Sequence, residues 1–180
     1  MTALIDKWLH EYQVSSRYSV LVHASDDRVY GALKLANFSN LAIVRILMRL
    51  RGYKLDRGKT AELDAAKNER FLELERIPNR EVVLGITGRF WRFDGGIVRG
   101  LTPETFADFH CHGCAKAVWS FSLAPSNGDT EVTTETRVQT FGSAATLKFR
   151  AYWAVIGPFS GLIRRAMLRE VKRIAELRGA

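Results

Sequence analysis

Five consecutive residues, His110-Cys111-His112-Gly113-Cys114, hold both cysteines and two of the four histidines of the chain. Thiolate and imidazole are the ligands zinc prefers, and CxxC spacing also suits a redox pair. A closed zinc site needs a second ligand pair further along, and the other histidines, His10 and His23, fall in unrelated elements. Cys111, His112 and Cys114 are the metal-ligand candidates, but the run reads as an ordinary turn before a strand, and no metal is expected. Two cysteines this close do not make a secreted disulfide framework.

The second place with chemical reach is Glu135 and Arg137, two apart on one strand and so on one face, where carboxylate and guanidinium can pair. Facing a cavity, they would hold the polar end of a ligand, or Glu135 would act as a general base. Facing outward, they are a surface pair of small energetic value. The opposite face, with Val132, Thr134, Thr136 and Val138, makes the better cavity lining. The outward reading is therefore expected, with Glu135 and then His110 as the acid-base candidates if the protein were an enzyme.

Nucleophile and cofactor motifs do not occur. Gly157-Pro158-Phe159-Ser160-Gly161 carries its serine in the fourth place, unlike GxSxG, and there is no GxxxxGK[ST] or GxGxxG. No cofactor is expected. What remains is an apolar pocket lined by Phe90, Trp91, Trp119, Phe121, Thr134, Thr136, Tyr152, Trp153, Ile163 and Met167. Aromatic concavities with few polar groups are the usual small-molecule site, although the same residues could pack a filled core.

The elements that position these residues follow from periodicity. A first helix runs from Thr2 to about Gln13-Val14 and packs outside the sheet, followed by a strand from Arg17 to His23 and a helix capped by Ser25. Leu41 to Leu50 is an apolar helix with basic edges, and Asp56 to Lys67 a polar loop. A hairpin joins 70–77 to 81–90 through Pro78-Asn79, with a further turn at Asp94-Gly95-Gly96. Thr102-Pro103-Glu104 starts a short helix, then strands 115–124 and 130–141 flank the turn 126–129. The last stretch, 143–178, is a helical lid in which Pro158 is expected to kink or restart the helix. Phe159, Leu162, Ile163, Ala166, Met167, Val171, Ile174 and Ala175 form its inward stripe, with Arg164, Arg165, Arg169, Lys172 and Arg173 toward water.

At 180 residues and 47% hydrophobic content, residues 1–180 fit one domain with a substantial core. The layout is α+β, a curved antiparallel sheet wrapped around a long C-terminal helix. The element order and the runs EVVLGITGRFW, AKAVWSFSL, TEVTTETRV and FRAYWAVIGPFSGLIRRAMLREVKRIAE resemble bacterial members of the SRPBCC (START-like) superfamily, over roughly Tyr18 to Glu176. That family includes polyketide cyclases and pollen-allergen-type carriers. The resemblance implies a helix-grip fold with a hydrophobic cavity between sheet and C-terminal helix. It also implies a hydrophobic small-molecule partner, a lipid or polyketide-like compound, held by a carrier or sensor; a cyclase or hydrolase is the alternative. A shared fold does not transfer an activity.

The net charge of +8 is concentrated in Arg45–Lys59 and Pro158–Ala180. These read as solvated helix faces; nucleic acid is not favoured, and a weak contact with anionic membranes is the remaining basic-surface reading. No apolar run reaches the roughly 18 residues of a bilayer span, and MTALIDKWLHEY has charges where a signal peptide needs an apolar centre, so a cytoplasmic location is expected.

Overall fold

The computed structural model describes residues 3–36, 71–92 and 96–177. The expected helix Leu41–Leu50, the loop Asp56–Lys67, the basic segment Arg45–Lys59 and most of the Asp94-Gly95-Gly96 turn lie outside them.

Helix α1 (Leu4–Trp8) leads into strand β1 (Val14–Val22) and helix α2 (Asp26–Leu35). Strands β2 (Leu72–Ile77), β3 (Glu81–Gly88) and β4 (Ile97–Val98) follow, then helix α3 (Pro103–Ala107), the long strands β5 (Ala115–Ser126) and β6 (Asp129–Thr140), and helix α4 (Ser143–Leu177). The sheet order is β1-β6-β5-β3-β2, with β4 on β3, and every pairing is antiparallel.

Local chemistry accounts for the joints. The β5–β6 hairpin turns at Asn127 (φ 51°) and Gly128 (φ 89°), both left-handed, which matches the twist of the flanking strands. Thr102 and Thr105 cap α3 reciprocally: the Thr105 amide donates to Thr102 Oγ1 (3.3 Å) and the Thr102 amide to Thr105 Oγ1 (2.8 Å).

Alternation sorts the sheet into two faces. Val20, Val22, Val82, Leu84, Trp119, Phe121, Leu123 and Val132 meet α2 and α4 on the inner face, in a core completed by Met167, Leu168, Val171 and Ala175. Val83 and Val118, on the outer face, meet Ile5, Leu9 and Phe106 from the short N-terminal segment and α3. Gly85 makes this possible, because a Cβ there would collide with the Phe106 ring. Lys116 is also buried on this side; its Nζ donates to the Ala107 carbonyl (2.8 Å) and lies over the Phe106 ring, and burial pulls its pKa down. The result is a helix-grip fold, a curved antiparallel sheet closed on a long C-terminal helix.

Two expectations change. The first helix stops at Trp8 rather than near Gln13, because Leu9 is extended (φ −153°, ψ 88°) and buried. Its carbonyl accepts from Arg137 Nη1 (3.1 Å), while the Gln13 amide donates to the Val138 carbonyl (2.9 Å); tertiary bonds outbid the helix. The C-terminal helix does not restart at Pro158, the second of the two outcomes expected there, but runs as one element of 35 residues. Ala154, whose carbonyl loses its donor, is exposed together with Pro158, so water can take that bond.

Candidate functional site

The inner face carries a polar centre that begins at Thr134 on β6. Its Oγ1 donates to the Ser120 carbonyl (3.0 Å) and accepts from Trp119 Nε1 (2.7 Å) and from Arg164 Nη1 (2.9 Å). Arg164 Nη2 donates to Thr136 Oγ1, one strand period along. The guanidinium lies over the Trp119 ring, 4.1 Å from its centroid, in cation-π geometry. Four side chains from β5, β6 and α4, with the Ser120 carbonyl, thus share one network beneath the helix.

That network has hydroxyls and an aromatic face but no anion. Among the described residues no carboxylate contacts Arg164, and its remaining N–H groups have no partner. Burial pulls its pKa down to about 9, opposed only by the nearby Tyr18, so it remains charged at neutral pH. A desolvated guanidinium with spare donors is an anion receptor, since its planar fork matches carboxylate and phosphate oxygens.

Gly161 sets the height of the helix. A Cβ at that position would strike the Tyr18 hydroxyl, so α4 and β1 approach more closely here than any larger residue allows. In the rotation of α4 that this contact accompanies, Gly161, Met167, Leu168, Val171 and Ala175 are buried and Ile163 is partly buried, whereas Phe159 and Leu162 are exposed. The expected stripe is corrected at its N-terminal end and holds from Met167 to Ala175. Phe159 and Leu162 leave it, and Arg164, expected in water, turns inward because hydroxyls and an indole face receive it.

The aromatic residues expected to line one pocket fall into two clusters. Trp119, Phe121, Ile163 and Met167 belong to the central core, with Phe71 edge-on to Trp119 at 5.7 Å. Phe90, Trp91, Tyr152 and Trp153 gather around Phe149 at the other end of the helix, against Ala115, Ala117 and Val138. Trp153 stacks on Phe149 at 5.7 Å and Trp91 meets it edge-on at 6.3 Å. Near this second cluster a cleft of about 470 Å³ opens beside Trp91, His112 and Ala145, with Arg89, Arg92 and Lys148 among its lining side chains.

No family model matches the chain, and no curated protein matches it. Solved structures resemble its path. CV1439 from Chromobacterium violaceum is 13% identical over 91% of this chain and 99% of its own, with a TM-score of 0.43. CalU16 from Micromonospora echinospora is 15% identical over 92% and 96%, with a TM-score of 0.32. The Aha1 dimer from Colwellia psychrerythraea is 17% identical over 86% and 97%, with a TM-score of 0.34. At such identities no residue role transfers; the fold stands on the strand order and helix of the chain itself.

Glu135 and Arg137 lie on the outer face, Arg137 Nε donating to Glu135 Oε1 (2.6 Å) and Nη1 to Asp6 Oδ1 (2.6 Å). Tyr12 covers the guanidinium at 4.8 Å. Burial lowers the pKa of Arg137, but the bonds to Glu135 and Asp6 outweigh it and leave it raised. The pair faces outward but is almost wholly shielded from water, its side chains 11% and 12% exposed, and with Asp6 it forms a three-member clasp that anchors the N-terminal segment rather than a surface pair of small energetic value. Glu81 serves the same face, its Oε2 accepting from the Leu4 amide (3.0 Å) at the start of α1. Burial raises the Glu81 pKa, and its Oε1 has no partner among the described residues.

His110 is exposed and packs on Phe141 at 4.6 Å, away from the Thr134 centre. Cys111 and Cys114 are joined as a disulfide, so neither offers a thiolate, and the His112 ring packs against Gly142. Among the described residues no three His, Cys, Asp or Glu side chains converge on one point.

Sequence reasoning named Trp119, Thr134 and Thr136 but missed Arg164, Gly161 and Tyr18. The available signal was the Gly157/Gly161 pair, small residues one turn apart on a helix that must lie close to a sheet.

Proposed function

We propose that this protein binds a hydrophobic small molecule with a single anionic head, of the fatty-acid or related lipid class, between the sheet and α4. The observation that carries the reading is Arg164: a desolvated guanidinium, already oriented by Thr134, Thr136 and Trp119, with donors to spare and no acidic partner among the described residues. Apolar contact with Trp119, Ile163 and the Phe149 cluster supplies affinity, and the head group's charge sets orientation. A carrier or sensor is favoured over an enzyme, because Glu135 is engaged with Arg137 on the outer face and His110 is exposed elsewhere.

The test is a matched pair of ligands. Trp119 emission is followed while oleate or oleyl alcohol is added, to the parent protein and to Arg164→Met. Oleate is expected to bind the parent at least about tenfold more tightly than the alcohol, as one charge-assisted hydrogen-bonded contact implies. That preference is expected to vanish in the variant. Equal binding of acid and alcohol by the parent would defeat the anionic-head assignment, and binding of neither would defeat the pocket.

A further inference from the structure

The side of α4 turned away from the sheet is apolar for four turns. Leu147 is 71% exposed, Val155 63%, Leu162 47% and Phe159 39%, and Ala151 and Pro158 between them are exposed as well. At about 3.6 residues per turn these six positions fall within an arc of about 120°, the width that a helix normally buries. Among the described residues nothing covers that arc. One turn further on, the same arc is continued by exposed Arg169, while Arg165, also exposed, leans back over the Tyr18 ring at 5.2 Å. Lys148 lies within the arc and Arg150 beside it, and between Ser143 and Arg169 the helix contains no acidic residue.

We propose that this outer face docks on an anionic lipid bilayer, with α4 parallel to the surface. Leu147, Val155, Phe159 and Leu162 enter the boundary between head groups and acyl chains, while Lys148 and Arg169 reach the level of the phosphates. An apolar arc framed only by cations is the pattern of an interfacial helix, whose attachment combines apolar burial with attraction to anionic lipid. Charge complementarity selects the occupant. A second copy of the chain would bring Lys148 and Arg169 against an equally basic helix. The high exposure of Leu147 and Val155 describes a ridge, which a bilayer admits more readily than a protein surface without a matching groove. The proposal does not depend on Arg164 or on the ligand beneath the helix.

The experiment is flotation of the full chain with vesicles of phosphatidylcholine alone and of phosphatidylcholine mixed with phosphatidylglycerol. Expected are binding to the mixed vesicles, little to the neutral ones, and release as salt screens the charges. Val155→Glu combined with Leu162→Glu is expected to weaken binding roughly tenfold or more with an unchanged melting point, since both side chains already face water. Lys148→Gln combined with Arg169→Gln is expected to cost roughly 25-fold, about fivefold per cation near the surface. Arg164→Met is expected to float as the parent does, which separates this surface from the ligand site. Absence of flotation, equal binding to neutral vesicles, or indifference to the double glutamate variant would overturn the proposal. So would a dimer in lipid-free solution that the Leu162→Glu change dissolves, which would assign the face to a second copy.

Discussion

The guanidinium of Arg164 stacks on the indole of Trp119 at 4.1 Å while both side chains hydrogen-bond to the same hydroxyl, that of Thr134. The threonine thereby positions the cation and the aromatic face together. Truncating it disturbs both.

Thr134→Val keeps the volume and removes that shared hydroxyl, leaving the Trp119 N–H and one Arg164 donor unpaired in a buried setting. A loss of about 1–3 kcal/mol is expected in chemical denaturation, the usual cost of such orphaned groups. A loss below about 0.5 kcal/mol would mean that water replaces the bond.

Arg164 makes ligand affinity pH-dependent. Its pKa is pulled down to about 9 by burial, so a head-group anion loses its counter-charge as pH rises through that value. Oleate affinity is expected to be flat around neutrality and to fall above about pH 9, with oleyl alcohol unaffected. The unliganded protein follows the opposite sign. Its folded state holds the proton less tightly than the unfolded chain, so its stability is expected to rise as pH climbs past the lowered value. Isothermal titration at several pH values checks the first statement, and urea denaturation the second.

Glu81 titrates with its folded pKa raised by burial above the usual 4.5. The folded state therefore binds this proton more readily, and the contribution of Glu81 to stability is largest at low pH and declines as pH rises through that window. Glu81→Gln retains an acceptor for the Leu4 amide and is expected to remove the decline, giving equal or up to about 1 kcal/mol greater stability at neutral pH. A clear loss at neutral pH would show that the ionised carboxylate at the start of α1 is net favourable.

Arg137 holds Asp6, Glu135 and the Leu9 carbonyl together. Arg137→Met is expected to cost about 2 kcal/mol, between the values for exposed and fully buried ion pairs. Hydrogen exchange is expected to quicken first in α1 and the extended segment after it. Uniform quickening across the sheet would contradict a local clasp.

Gly161 and Tyr18 are expected to be coupled. Gly161→Ala gains about 1 kcal/mol of helix propensity but forces the new Cβ onto the Tyr18 hydroxyl. In the parent the exchange is expected to be neutral or destabilising, and in a Tyr18→Phe background to become stabilising. Additive effects in the double-mutant cycle would place the strain elsewhere.

The strand faces were legible in the sequence because a side-chain period of two leaves one choice. Val132, Thr134, Thr136 and Val138 had to share a face, and two valines marked it as the inner one. The capped start of α3, the Asn127-Gly128 hairpin and the long C-terminal helix were readable for the same reason, since each depends on neighbours in the chain. The rotation of α4 was not. Near-helical spacing put Phe159 and Leu162 inward as readily as Gly161 and Leu168, and every arginine beside them looked solvated. The observed rotation comes with a contact between residues 143 positions apart, the Tyr18 hydroxyl against Gly161, together with two threonines able to receive a guanidinium. Periodicity determined which elements form and which strand faces look inward. The tertiary packing decided which way the long helix turns, and so where its cation and its apolar ridge lie.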